Sequence, residues 1–290
     1  MSKMNFDDFF KNEARMFMLA TIRIALSEDG PDLTSQGLFE PSDIARAQII
    51  TKQKTVVAGM PLIPLILEFG DQDKKCEVFI NVDDGETVDE GALLAVMEGP
   101  AALLLKAERI ILNYISHLSG IATLTSQYVK ALEGSKTTLL DTRKTLPGLR
   151  YPEKYAVLMG GAQNHRLNLV EMLMLKDNHI DRAGSITNAV QKLRETYDDC
   201  PPIEVECRNQ QEVVEAVKTE VNRIMLDNMT PAEAAEAIKI IPDSIETEIS
   251  GNVTLDTISN LAKIGADFIS VGGITHSAKS SDISMRIFQI

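Results

Sequence analysis

Residues 141–179 read DTRKTLPGLRYPEKYAVLMGGAQNHRLNLVEMLMLKDNH. Two short apolar runs frame the stretch: Thr138-Leu139-Leu140 just ahead of it and Met172-Leu173-Met174-Leu175 near its end. Arg143 and Lys144 closely follow the first run, and Lys176 directly follows the second. Continuous apolar runs this short read as strands buried on both faces. In parallel α/β architectures ligands lie at the carboxyl ends of such strands, so these cations stand where a ligand would be met.

Six Lys or Arg (Arg143, Lys144, Arg150, Lys154, Arg166, Lys176) and His165 lie between Asp141 and Lys176 against three acids, in a chain of net charge -13. Gathered cations repel one another unless anions neutralise them, and a polyanionic small ligand is the simplest neutraliser. The chain's acidity argues against nucleic acid as the main partner. Cys76, Cys200 and Cys207 show no CxxC or Cys/His spacing, which points to a reducing, cytoplasmic setting without structural zinc. The longest apolar run, Val56 to Leu67, is interrupted by Gly59, Pro61 and Pro64, so neither export nor membrane insertion is expected.

Downstream of Gly134 strand and helix patterns alternate, with strands expected near 138–142, 172–176, 203–206, 223–227, 246–250 and 267–271. A βαβα run of this spacing predicts a parallel sheet closed as an incomplete, six-stranded α/β barrel, with an open doubly wound sheet as the competing geometry. Upstream, the residues predict a packing helix from about 5 to 27 and short strands within 45–57, 76–82 and 92–97. The turn VDDGETVDEG (82–91) resembles the hairpin of biotinyl and lipoyl carriers but has no modifiable lysine at its tip, and reads as structural. Helix formers fill 99–118, and a second helix is expected over 122–132. The expected organisation is an N-terminal α/β domain over 1–118, with a tail, 277–290, available to it, and a barrel over 119–276.

Past the expected strand ends lie Thr142, Arg143 and Lys144; Lys176 to His179; Glu204 and Glu206; Asp227 and Asn228; Ser250, Gly251 and Asn252; and Gly272 to Ser277. Glu206 and Asp227 end consecutive strands, and two converging carboxylates either seat Mg²⁺ on a phosphorylated ligand or simply pair with Lys144 and Lys176. The turns at Ser250-Gly251-Asn252 and Gly272-Gly273 expose backbone N–H groups to a phosphate. From the residues alone the expectation is an enzyme that handles a sugar phosphate and a second anion. A rival reading makes Lys144 or Lys176 a desolvated Schiff-base nucleophile, as in barrel aldolases.

The same residues resemble quinolinate phosphoribosyltransferase along almost the whole chain: AERIILNYISHLSGIAT (107–123), DTRKTLPGLRYPEKYAV (141–157), NHR (164–166), LKDNHI (175–180), IEVE (203–206), IMLDNM (224–229), EISGN (248–252) and ISVGGITHSAKSSDIS (269–284). The resemblance implies an N-terminal α/β sandwich domain, a barrel of fewer than eight strands, and a homodimer or higher oligomer with a shared active site. The implied partners are quinolinate and phosphoribosyl pyrophosphate, with Mg²⁺ as cofactor, giving nicotinate mononucleotide, CO₂ and pyrophosphate in NAD biosynthesis. It implies that Arg109, Thr142, Arg143, Lys144, His165, Arg166 and Lys176 bind the substrate anions. Glu206 and Asp227 would meet the ribose hydroxyls and Mg²⁺, and Ser250, Gly251, Asn252, Gly272, Gly273, Ile274 and Thr275 would cradle the 5′-phosphate. Lys144, Glu206 and Asp227 would be the catalytic residues. A molybdenum-transport-associated branch with a different acceptor shares the overall pattern. Three motifs depart from the family's: EDGPDLTSQG (28–37) for EDxGxGDxTT, GGAQNHR (160–166) for GGGxNHR, and Asn252 where SGG ends in glycine.

Overall fold

A computed structural model describes residues 4–70 and 76–290. The chain divides into two compact units, one of residues 1–126, 145–161 and 274–290 and the other of residues 127–144 and 162–273.

In the first unit, helices α1 (Phe6–Phe9), α2 (Asn12–Asp29) and α3 (Leu33–Leu38) precede β1 (Ile44–Thr51) and β2 (Thr55–Val56). Helix α4 (Leu62–Glu68), strands β3 (Glu77–Ile80), β4 (Thr87–Val88) and β5 (Leu93–Pro100), and helix α5 (Ala101–Ala131) follow. Strand β1 alternates buried and exposed positions, placing Ala45, Ala47, Ile49 and Thr51 on the core face. It pairs antiparallel with β5 and with β12 (Ile283–Gln289), giving a four-stranded sheet in the order β12-β1-β5-β3. Met18 and Ile22 of α2, Ile63 and Ile66 of α4, and Ile111, Ile115 and Leu118 of α5 fill the core. α6 (Arg150–Met159) belongs to this unit as well.

Two expected helices differ. The single helix over 5–27 is broken at Phe10-Lys11, where Phe6, Phe9 and Phe10 all converge on Tyr155 with ring centroids 5.4, 5.5 and 5.4 Å away. The two helices expected over 99–132 are one, α5, which runs unbroken through Ser119-Gly120.

The second unit carries β6 (Thr138–Leu140), β7 (Leu173–Leu175), β8 (Ile203–Cys207), β9 (Arg223–Asp227), β10 (Glu246–Ser250) and β11 (Phe268–Ser270). Between them lie α7 (Asp177–Ala183), α8 (Ile186–Thr196), α9 (Gln210–Lys218), α10 (Pro231–Ile240) and α11 (Leu255–Ala262); the short α12 (Gly273–His276), of which Gly273 alone belongs to this unit, follows β11. All neighbouring strands are parallel, in the order β6-β11-β10-β9-β8-β7. Sequence order runs round this sheet without reversal and the last strand pairs with the first. That is the order of a barrel left open between β6 and β7, and it lacks the reversal that defines a doubly wound sheet. Gln163 forms a parallel bridge with Leu140 at the β6 edge of the gap.

Candidate active site

Side chains alternate along a strand, so residues two apart share a face. Met174 and Lys176, Met225 and Asp227, and Glu248 and Ser250 are such pairs, and together with Thr142, Arg143, Lys144, His165, Arg166, Glu206, Asn228 and Ser270 they line one cavity of about 440 Å³. Its volume suits a small-molecule ligand.

Four of the six expected cations, Arg143, Lys144, Arg166 and Lys176, meet in this cavity. Arg150 and Lys154 do not: they belong to α6 in the other unit, where Lys154 is fully buried. Arg166 is fixed by Nη1 donating to the Met172 carbonyl at 2.7 Å. Burial first, then repulsion from Arg143, holds its guanidinium below its ordinary pKa, as expected where cations crowd together. Lys176 donates to Glu206 at 2.8 Å and its side chain is 45% exposed. Lys144 is exposed as well. Neither is the desolvated amine that a Schiff-base mechanism needs.

His165 was expected among the anion binders, but its ring is engaged by the protein. Asp141, wholly buried at the end of β6, accepts the His165 N–H and the Asn164 side-chain amide, each at 2.8 Å, and so anchors the NHR segment. The Arg166 backbone N–H donates to His165 Nδ1 at 2.7 Å. A nitrogen accepting that bond carries no proton, so the ring is the neutral Nε2–H tautomer. Its Nε2 lies 3.0 Å from Glu204 Oε2 and 3.6 Å from Glu248 Oε2. His165 therefore positions Arg166 and lines the same cavity.

Glu204 was expected at a strand end, but it lies within β8, fully buried, as Glu248 does on β10. Burial is the main reason both carboxyls are pushed up to about 7. Arg223 reaches Glu248 at 3.2 Å and Glu246 at 2.7 Å and stacks on Phe268. The donor atoms of His165, Glu204 and Glu248 lie within 4.8 Å of one another, a spacing open to a metal ion. A metal on His165 Nε2 would require the proton to sit on Nδ1, against the Arg166 N–H already donating there. A metal-bound histidine instead donates from its other nitrogen, so the trio is not arranged as a metal site. The sequence signal for this cluster is the pair of acids at alternate positions in IEVEC and ETEIS, which is foreign to an ordinary buried parallel strand.

Glu206 and Asp227 both reach the cavity from adjacent strands. Glu206 is the partner of Lys176, and Asp227 accepts from Asn228 Nδ2 at 2.9 Å. Two carboxylates on one wall suit a hard cation that takes its other oxygens from a phosphorylated ligand and water. At the next turn, Gly251 has φ +98° and Asn252 φ +51°. Asparagine tolerates that left-handed conformation, and Asn252 uses its amide to donate to Asn228 Oδ1 at 3.0 Å. The departure from glycine thus adds a brace between the β9 and β10 turns. Gly251, Asn252, Gly272 and Gly273 lie in these turns of the second unit, outside the cavity wall. Ile274 and Thr275 are buried in the first unit. Arg109 is also in the first unit, on α5, with its side chain 70% exposed and Glu108 at 3.9 Å.

Comparison with known proteins matches residues 32–119 to the N-terminal domain and residues 121–286 to the C-terminal domain of quinolinate phosphoribosyl transferase. A probable nicotinate-nucleotide pyrophosphorylase [carboxylating] of Bacillus subtilis is 40% identical over 256 residues, covering 88% of each chain. Its counterpart from Synechocystis is 44% identical over 245 residues, 83% of this chain and 82% of its own. Among solved structures, NadC from Streptococcus pyogenes aligns with a TM-score of 0.90 at 35% identity, over 97% of this chain and 99% of its own. Nicotinate-nucleotide pyrophosphorylase from Ehrlichia chaffeensis aligns with a TM-score of 0.88 at 35% identity, over 99% and 100%.

Proposed function

This chain belongs to the quinolinate phosphoribosyltransferase family, and from that membership we propose that it condenses quinolinate with phosphoribosyl pyrophosphate, forming nicotinate mononucleotide, CO₂ and pyrophosphate for NAD biosynthesis. The observation that carries this reading is the meeting of Arg143, Lys144, Arg166 and Lys176 in one cavity that also holds Glu206 and Asp227. Quinolinate brings two adjacent carboxylates and the phosphoribosyl donor brings its phosphates, so both substrates match a cavity rich in cations.

The residues act by position and charge. Arg143, Arg166 and Lys144 hold the dicarboxylate so that its ring nitrogen faces the sugar, which replaces a chance encounter by a fixed approach. Glu206 and Asp227 meet the ribose hydroxyls and offset positive charge that grows on the sugar as pyrophosphate departs. Mg²⁺, held by these two carboxylates together with the donor's oxygens, would neutralise the leaving pyrophosphate. The Ser250–Asn252 turn and Gly272-Gly273 are assigned to the 5′-phosphate. Once ribosylated, the ring nitrogen is cationic and draws electrons from the neighbouring carbon, which permits CO₂ loss. No nucleophilic side chain is needed.

The same reading includes a homodimer in which Arg109 completes the neighbouring chain's site, supported by its exposure on α5. A cytoplasmic setting agrees with three cysteines, none of them in a disulfide among the described residues. Among the described residues no helix is long and apolar enough to cross a membrane.

The test is incubation with phosphoribosyl pyrophosphate, Mg²⁺ and either quinolinate or nicotinate. Turnover of quinolinate to nicotinate mononucleotide is expected. A single carboxylate leaves cations unpaired, so nicotinate should react at least about 100-fold more slowly. Comparable turnover of nicotinate would reject the acceptor.

A further inference from the structure

Loss of CO₂ from the ribosylated ring breaks the bond between C2 and its carboxylate and leaves the electron pair on C2. The product carries hydrogen there, so a proton must arrive. The groups assigned so far are cations that hold anions and carboxylates that serve the sugar. None of them has been given that task.

Below them lies Glu248, fully buried yet part of the cavity wall. Its Oε2 is met by Arg223 Nη1 at 3.2 Å and lies 3.6 Å from His165 Nε2. Ser270, a second buried group of the same wall, and Glu204 are its polar neighbours, and neither makes a full hydrogen bond to its Oε1. Buried polar oxygens are almost always satisfied, so a buried carboxyl on a cavity wall whose second oxygen has no full hydrogen bond is placed to bond a ligand there. That ligand is anionic, and an ionised carboxylate would repel it; a carboxylic acid would donate to it.

We propose that Glu248 is the proton donor of the decarboxylation step, presenting Oε1–H to the cavity and passing that proton to C2 as CO₂ leaves. The inference rests on the reaction proposed above. In the step, the C2–carboxylate bond breaks, its electron pair takes the proton, and a C2–H bond forms. Glu248 is left as a carboxylate beside the Arg223 guanidinium, and it regains a proton from water after product release. Its neighbours pull both ways: Glu204 on β8 is a second acid at its side and favours the proton, whereas His165, Ser270 on β11 and Arg223 on β9, which occupies only Oε2, favour the carboxylate; burial outweighs them. Burial, then the Glu204 charge, pushes the Glu248 carboxyl up to about 7, so it still carries a proton near neutrality.

The test is single-turnover kinetics with quinolinate, phosphoribosyl pyrophosphate and Mg²⁺, following pyrophosphate and nicotinate mononucleotide separately. Glu248→Gln keeps the volume and an oxygen for Arg223 but has no proton to transfer. Pyrophosphate release is expected to stay within a few-fold of wild type while nicotinate mononucleotide formation slows roughly 10²–10⁴-fold, the usual worth of general acid catalysis. Equal slowing of both products, or slowing of neither, would overturn the assignment. Should the variant not fold, the wild-type enzyme decides. Nicotinate mononucleotide formation should fall behind pyrophosphate release as pH rises from about 6 to about 9 across the range where a raised carboxyl ionises. A constant ratio would overturn the proposal. A wild-type enzyme that makes no nicotinate mononucleotide would overturn the reaction itself, a result distinct from either of these.

Discussion

A Cβ built on Gly251 would lie 2.2 Å from Asn228 Oδ1, at a φ of +98° that other residues rarely adopt. Gly251→Ala is therefore expected to destabilise the protein by about 1–3 kcal/mol. Asn228 would be displaced from Asp227, so the KM for phosphoribosyl pyrophosphate should rise more than that for quinolinate; denaturant titration and steady-state kinetics check the two effects. Asp227→Ala should show the same asymmetry without the loss of stability, because it removes a carboxylate at the cavity mouth and creates no clash. Equal loss of affinity for both substrates would place Asp227 elsewhere in the mechanism. Glu248 adds a pH dependence. The fold holds its proton up to about 7 whereas the unfolded chain releases it near 4.5, so between those values the native state binds more protons. Its contribution to stability is thus full below pH 4.5 and is lost as pH rises to about 7. Denaturation midpoints of wild type should fall more steeply across that window than those of Glu248→Gln. At this scale Arg143, Lys144 and Lys176 were legible from sequence, because charge after an apolar run marks a strand end, whereas Arg150 and Lys154 fold with the other unit. The tautomer of His165 was not legible, since it is set by one backbone bond from Arg166, and neither was the Glu204–Glu248 pair, which depends on the register of β8, β9 and β10.

Helix α5 shows why an element can be longer than its sequence suggests. Ser119-Gly120 reads as a break because glycine weakens helices, yet a Cβ at Gly120 would lie 2.1 Å from the Lys279 carbonyl oxygen. The glycine is there so that the 279–280 backbone can pass against the helix, a requirement that comes from residues 159 positions away. Gly160 has a similar reason, with the Ala122 carbonyl 2.6 Å from its built Cβ. The hairpin over 82–91 was legible as structural, and its tip shows what it does. Asp84 accepts the N–H groups of Gly59 and Met60, each at 3.0 Å, and the Tyr155 hydroxyl at 2.8 Å. One carboxylate thus ties the entry of α4 to α6, and burial raises its pKa. Tyr155→Phe removes a single donor and leaves the ring cluster with Phe6, Phe9 and Phe10 in place. It should destabilise by about 1–2 kcal/mol, read from the thermal midpoint. A midpoint unchanged from wild type would mean that water replaces the hydroxyl at no cost.

For the molecule as a whole, the strand spacing after Gly134 was enough to choose a barrel over an open sheet, and the pairing of β6 with β11 gives that choice its geometry. The crossing of the chain between units was not legible. Residues 145–161 continue the basic stretch in sequence but fold with the first unit, which divides six cations into four at the cavity and two elsewhere. Arg109 is the remaining cation of the proposed site, and it too lies in the first unit, exposed on α5. If it serves a neighbouring chain, each site is built from two copies, and the proposal can be separated from its alternative by counting sites. Arg109→Ala and Lys176→Ala are each expected to be inactive alone. Unfolded together in equal amounts and reassembled, they pair at random, so about half of the two-fold dimers are mixed. In a mixed dimer with shared sites, one site carries both changes and the other carries neither, and activity should return to about a quarter of wild type. If Arg109 acted within its own chain, each site of a mixed dimer would keep one lesion. Mixed dimers shown by mass spectrometry to have formed, yet without activity, would therefore exclude the shared site.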